Sequence, residues 1–143
     1  MLTYQETGVD YDVLDKFKRR AQSAARRTRP AKQRLNIRDV PWSHGESVQL
    51  KEFADHYIGH VNEGLGTKNL IADDMEDLTG RCYYGAIGQD AARSIFHDML
   101  TAGAHSFSIH MHLAVGNKWW FQDARATGEF IRGWAYACRE AGC

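Results

Sequence analysis

Between residues 106 and 113 the chain alternates without a break. Ser106, Ser108, His110 and His112 share one parity, and Phe107, Ile109, Met111 and Leu113 share the other. A period of two puts successive side chains on opposite faces of extended backbone and fits no helix. A strand with one apolar and one polar face is expected here. It is followed by a turn around Gly116-Asn117-Lys118.

The segments around it have a different period. Val13, Leu14, Phe17 and Ala21 recur at helical spacing, with Asp10 or Asp12 placed to cap the first turn and Pro30 to close it, so a helix is expected over about 10–27. Ala92, Ile95, Phe96, Met99 and Leu100 form a second stripe, predicting a helix from Gly88 or Asp90 to Ala102 that ends at Gly103. A last helix, about 124–140, collects Phe130, Ile131, Trp134 and Cys138, with Gly142 just beyond it. Phe53 to Val61 reads as another strand running into a glycine-containing turn. Residues 30–46 show little periodicity and read as an exposed connection. The whole predicts an α+β domain.

Its 143 residues, 43% of them hydrophobic, suffice for one ordinary core, so a single domain spanning 1–143 is expected. No stretch approaches the roughly twenty apolar residues of a membrane helix, and the first residues lack the charged and apolar regions of a signal peptide. A cytoplasmic location is the default expectation. Three cysteines, Cys82, Cys138 and Cys143, contain no Cys-x-x-Cys pair and read as free thiols. Net charge is zero, yet Lys and Arg crowd residues 16–38. That basic run reads as a solvated helix face, with phosphate capture by one or two side chains open. Nucleic acid is disfavoured because no aromatics interleave with the charges.

The segment Glu63-Gly64-Leu65-Gly66-Thr67-Lys68 carries the clearest chemical pattern. Glycines let backbone amides approach phosphate oxygens, a lysine neutralises charge and an acidic side chain can hold Mg²⁺. It is not a Walker A loop, and glycine spacing of this kind also occurs in ordinary strand-ending turns. Asp90 reads either as a metal or phosphate ligand or as the cap of the helix that follows. Asp98 reads either as a ligand-facing carboxylate or as a solvated helix residue. His110 and His112 share a strand face without further zinc ligands at diagnostic spacing, so they read as polar-face residues. Trp119, Trp120 and Trp134 read as core or interface aromatics.

Taken in order, Tyr4…Gly8-Val-Asp-Tyr-Asp12, Glu63-Gly-Leu-Gly-Thr-Lys68, Ile87-Gly-Gln-Asp90, His97-Asp98, Ala102-Gly-Ala104 and the closing Arg-Glu-Ala-Gly-Cys143 resemble the aminoimidazole ribonucleotide synthetases, or phosphoribosylformylglycinamidine cyclo-ligases. The resemblance implies the amino-terminal domain of that fold, with a mixed or antiparallel sheet packed on helices and joined to a second subunit's sheet in a dimeric barrel. Ser106, Ser108 and the two histidines would suit such a barrel's polar interior. It also implies ATP and Mg²⁺ as cofactors and a ribonucleotide substrate, formylglycinamidine ribonucleotide. Gly64, Gly66, Thr67, Lys68, Asp90 and Asp98 are then expected at nucleotide and phosphate, and Glu63 and Asp90 at the metal.

No catalytic residue is assigned by the resemblance. The family's second glycine-rich loop and carboxy-terminal domain are absent from these 143 residues, so the chain alone is expected to be inactive. Glu63 stands where the family has aspartate and His97 where it has asparagine, and the family's glycine-rich stretch before Glu46 is missing. These departures leave open a non-catalytic dimerisation module with the same fold. Nucleic-acid binding through the basic first helix is a third and weaker alternative.

Overall fold

The computed structural model describes residues 10–28 and 35–143. The opening Tyr4…Gly8 signature and the helix-closing Pro30 lie outside the described residues. The elements run α1 Tyr11–Arg27, β1 Arg38–Asp39, β2 Gln49–Glu52, β3 Tyr57–His60, α2 Lys68–Thr79, α3 Tyr84–Thr101 and α4 Ala124–Ala141, with 3₁₀ turns at Pro41–Ser43 and Lys118–Gln122. Helices together with a small sheet are compatible with the α+β expectation. The chain divides after Ile58 into two compact units, a division that β3 crosses.

In the first unit, α1 is capped as expected, Asp10 accepting from the amides of Asp12 and Val13 at 2.9 and 3.2 Å. It buries no side chain. The sheet has the order β1-β2-β3, with β1 antiparallel to β2 and Asp39 opposite Lys51. That cross-strand pair is an ion pair of 2.5 Å, both partners largely covered. Val40, Val48 and Leu50 are buried, and buried Ser43 ties the segment together, its hydroxyl donating to the Val40 carbonyl and accepting from the Leu50 amide. Sequence periodicity did not reveal β1 and β2, because strands this short hold too few alternations. Of the strand expected over Phe53 to Val61, β3 forms the second half. The Phe53 amide donates to the His56 carbonyl at 2.8 Å in the turn leading into it.

The second unit is built on the pair α3–α4. Glycine permits their approach. A Cβ on Gly88 would lie 2.2 Å from the Phe130 carbonyl oxygen, and one on Gly133 only 1.9 Å from that of Gly85. Two apolar clusters hang on this crossing. One gathers Tyr84, Ala126 and Phe130, with Trp120 and Leu113 packed on it; the other gathers Ala92, Phe96 and Ala137, with Ile109, Cys138 and Cys143. Helix α4 starts on Asp123, which accepts from two first-turn amides, and ends on Gly142 at φ 66°. Helix α3 ends on Gly103 at φ 67°, as its sequence implies.

Three expectations change. The strand over residues 106–113 does not form. Extended backbone becomes a strand only by pairing, and among the described residues no neighbour pairs with 104–117. Its apolar side is half covered: Ile109 and Leu113 pack on the helical clusters, whereas Phe107 is 75% exposed and Met111 38%. Helix α3 begins at Tyr84, so Asp90 sits inside it and caps nothing. Gly85 and Gly88 lower helix propensity there, but the α4 contact that only glycine allows overrides it. Finally, α2 follows the glycine loop directly where the sequence reading had no helix. Of its residues only Ala72 is buried, and Leu70, Ile71, Met75 and Leu78 remain exposed.

Candidate functional site

The site is assembled within the second unit from the loop 61–67, the first turn of α2 and one side of α3. Gly66 takes φ 64°, a left-handed conformation that a residue with a Cβ adopts only with strain. A Cβ at Gly64 or Gly66 would meet nothing within 4 Å, so the loop backbone faces open space. Thr67 precedes α2 without using its side chain as a cap. The Leu70 amide donates to the Thr67 carbonyl at 3.1 Å, and the Thr67 hydroxyl and the amides of Lys68 and Asn69 are left for other acceptors.

Asp90, Ser94 and Asp98 recur every four residues along α3, on the side that meets this loop. Lys68 forms an ion pair with Asp90, both side chains about half exposed. Glu63 lies beside Asp98 and is influenced by it. Partial burial of its carboxyl, and next Asp98, hold Glu63 above the ordinary carboxylate range, while Lys68 pulls it down. A neighbouring carboxylate disfavours ionisation of Glu63, and a cation between them would relieve that. The structure therefore brings Glu63, Lys68, Asp90 and Asp98 into one polar group, and sets Gly64 and Gly66 on its other flank. His97 lies on α3 as an exposed residue.

The glycines also open onto a cavity of about 540 Å³ whose further walls include Asn69, Asp73, Tyr84, His112, Trp120 and Phe130. The Tyr84 hydroxyl donates to Asp73 at 2.7 Å, and burial together with that carboxylate pushes its pKa up to about 12. Trp120 lies 5.5 Å from the Tyr84 ring and 6.1 Å from Phe130, centroid to centroid. Its indole N–H is covered and meets no acceptor in hydrogen-bonding geometry, although it lies close enough to Tyr84 to oppose the upward shift. Trp120 is thus both a core aromatic and a cavity wall. Sequence reasoning missed Asp73 and Tyr84. The run Leu70, Ile71, Met75, Leu78 before Gly80 was the available sign of α2, the helix that carries Asp73.

Among the described residues no three His, Cys, Asp or Glu side chains gather so as to hold a metal ion unaided. Mg²⁺ does not demand that, because it commonly takes one or two carboxylates and completes its shell with phosphate oxygens and water. The Glu63–Asp98 pair suits such a hard cation, whereas Asp90 is occupied by Lys68. His110 is exposed, and His112 lines the cavity without belonging to any group of three potential ligands among the described residues. No helix among the described residues is long and apolar enough to cross a membrane.

Fold and site together define an α+β protein with an open glycine loop beside a carboxylate–lysine cluster. No family profile and no solved structure matches the chain. Its relatives are specific. It is 33% identical over 115 residues to the phosphoribosylformylglycinamidine cyclo-ligase of Pyrococcus horikoshii, covering 80% of this chain and 32% of that protein. The enzyme of the same name from Methanobrevibacter smithii is 30% identical over 115 residues, 80% of this chain and 30% of that protein. The one from Pyrococcus furiosus is 28% identical over 142 residues, 99% of this chain and 39% of that protein. The chain is homologous to these proteins named phosphoribosylformylglycinamidine cyclo-ligase, and it spans about a third of their length.

Proposed function

We propose that the chain is the amino-terminal domain of an ATP-dependent cyclo-ligase that converts formylglycinamidine ribonucleotide to aminoimidazole ribonucleotide in cytoplasmic purine synthesis. The observation that carries this reading is the convergence of Glu63 and Lys68, at the two ends of the glycine loop, on Asp98 and Asp90 of α3. In this reading the amides of 64–68 and the start of α2 take phosphate oxygens, and Lys68 exchanges its Asp90 partner for phosphate charge. Glu63 and Asp98 would hold Mg²⁺, with phosphate oxygens and water completing its shell. When bound, ATP supplies the phosphoryl group that activates the formyl oxygen for ring closure. The chain's own part is to position and neutralise charge.

The reading includes a homodimer formed through the extended segment 104–117 and a carboxy-terminal domain completing the active site. Calorimetric titration of the purified chain with ATP and Mg²⁺, with light scattering for its mass, tests it. Magnesium-dependent binding is expected, and a Lys68→Ala, Asp90→Ala double variant should lose it. A folded chain that takes up no nucleotide would remove ATP binding from this domain.

A further inference from the structure

At the end of α4 the chain forms a Schellman turn. The Cys143 amide donates to the Cys138 carbonyl at 2.9 Å, the Gly142 amide donates to that of Arg139 at 3.3 Å, and Gly142 takes φ 66°. This turn brings the side chains of its first and sixth residues together, a position usually filled by an apolar pair. Here both are cysteines. Both are half-buried, and both pack on the cluster of Ala92, Phe96 and Ala137. Burial and then the neighbouring Cys143 thiol push the Cys138 thiol up. A disulfide needs α-carbons roughly 4.4–6.8 Å apart. Residues joined by one backbone hydrogen bond lie within that reach. Cys82 packs on the other cluster, with Tyr84 and Phe130.

We propose that Cys138 and Cys143 are a dithiol that closes to an intrachain disulfide by exchange with a low-molecular-weight disulfide such as oxidised glutathione. One protein thiolate attacks a sulfur of the small disulfide, forming a mixed disulfide and expelling one small thiolate. The second protein thiolate then attacks the protein sulfur of that mixed disulfide. The second small thiolate leaves as the protein S–S bond forms. The two cysteines are oxidised, the small disulfide is reduced, and the two protons released end on the two small thiols. The turn favours ring closure over retention of the mixed disulfide, because the second sulfur is already beside the first.

Trypsin cleaves after Arg132 and Arg139, which places the two cysteines on separate peptides. The purified, reduced chain is equilibrated with a glutathione redox buffer, alkylated, digested and mass-analysed, with circular dichroism confirming that it stays helical. The expected result is a peptide containing Cys138 linked to the one beginning at Glu140, with Cys82 alkylated. In Cys143→Ser, glutathione should instead remain attached to Cys138. A helical wild-type chain in which both thiols stay alkylatable, or carry glutathione without linkage, overturns the proposal.

Discussion

Replacing Gly133 by alanine tests the α3–α4 crossing at its tightest point. The added Cβ would lie 1.9 Å from the Gly85 carbonyl oxygen, 2.9 Å from its carbon and 3.1 Å from the Gln89 nitrogen. Carbon and oxygen normally approach to roughly 3.3–3.6 Å. All three obstacles are backbone, so no side chain can swing aside and the helices must part. Overpacking costs about 1–3 kcal/mol, more when the backbone has to move. Setting about 4 kcal/mol for that against ~1 kcal/mol of helix propensity recovered leaves a net loss of about 3 kcal/mol. That is roughly a hundredfold in the folded-to-unfolded ratio, or about 10 °C in Tm for a chain of this size. Gly128→Ala on the same helix is the control, because its Cβ would meet only the Arg132 guanidinium at 3.7 Å. It should raise Tm by a few degrees. Thermal and urea melts followed by circular dichroism read both. A Gly133→Ala chain melting with the unaltered protein would show that the helices do not cross in backbone contact.

Two further outcomes concern the site. Tyr84→Phe removes the bond to Asp73 and should cost about 1–2 kcal/mol in urea denaturation. Because the folded pKa of Tyr84 is raised from 10.0 to about 12, its contribution is complete below pH 10 and lost as pH rises to 12. Stability measured across that window should fall less steeply in the Phe variant, and an unchanged slope would contradict the assignment. Glu63 is also raised, so its protonated form stabilises the fold below its ordinary 4.5 and that contribution is lost as pH rises through the folded value. Asp98→Asn and, separately, added Mg²⁺ with nucleotide should each lower the Glu63 pKa in a carboxyl NMR titration. Insensitivity to both would separate Glu63 from Asp98 and from the cation.

The sequence was most informative where local chemistry and tertiary structure agree. Asp10 caps α1, Gly103 and Gly142 end α3 and α4, and the bounds of α1 and α4 follow from apolar spacing together with these end signals. It was least informative where a distant contact decides. Gly85 and Gly88 argue locally against helix, yet α4 packs against them and α3 begins before either. The alternation at 106–113 states a preference for extended backbone but cannot supply a neighbouring strand. The site was legible as a motif at Glu63–Lys68. Its pairings with Asp90 and Asp98 were not, since spacing along a chain does not say which helix face a loop will meet. Tyr84 and Asp73 were invisible for the same reason, as each gains a partner only through the packing of α2 on α3.

In the stretch 104–117, Ile109 and Leu113 pack on the helical clusters and Ser106 is buried as well, with Phe107 and Met111 left to water. A strand laid beside it cannot slide by one residue without turning hydroxyls and imidazoles to the apolar side and aliphatic groups to the polar one. Slips of two keep the faces but exchange anchored residues for free ones, so they too are unequal in energy. Discrimination among alignments is therefore held by one chain, before any neighbouring strand is in place.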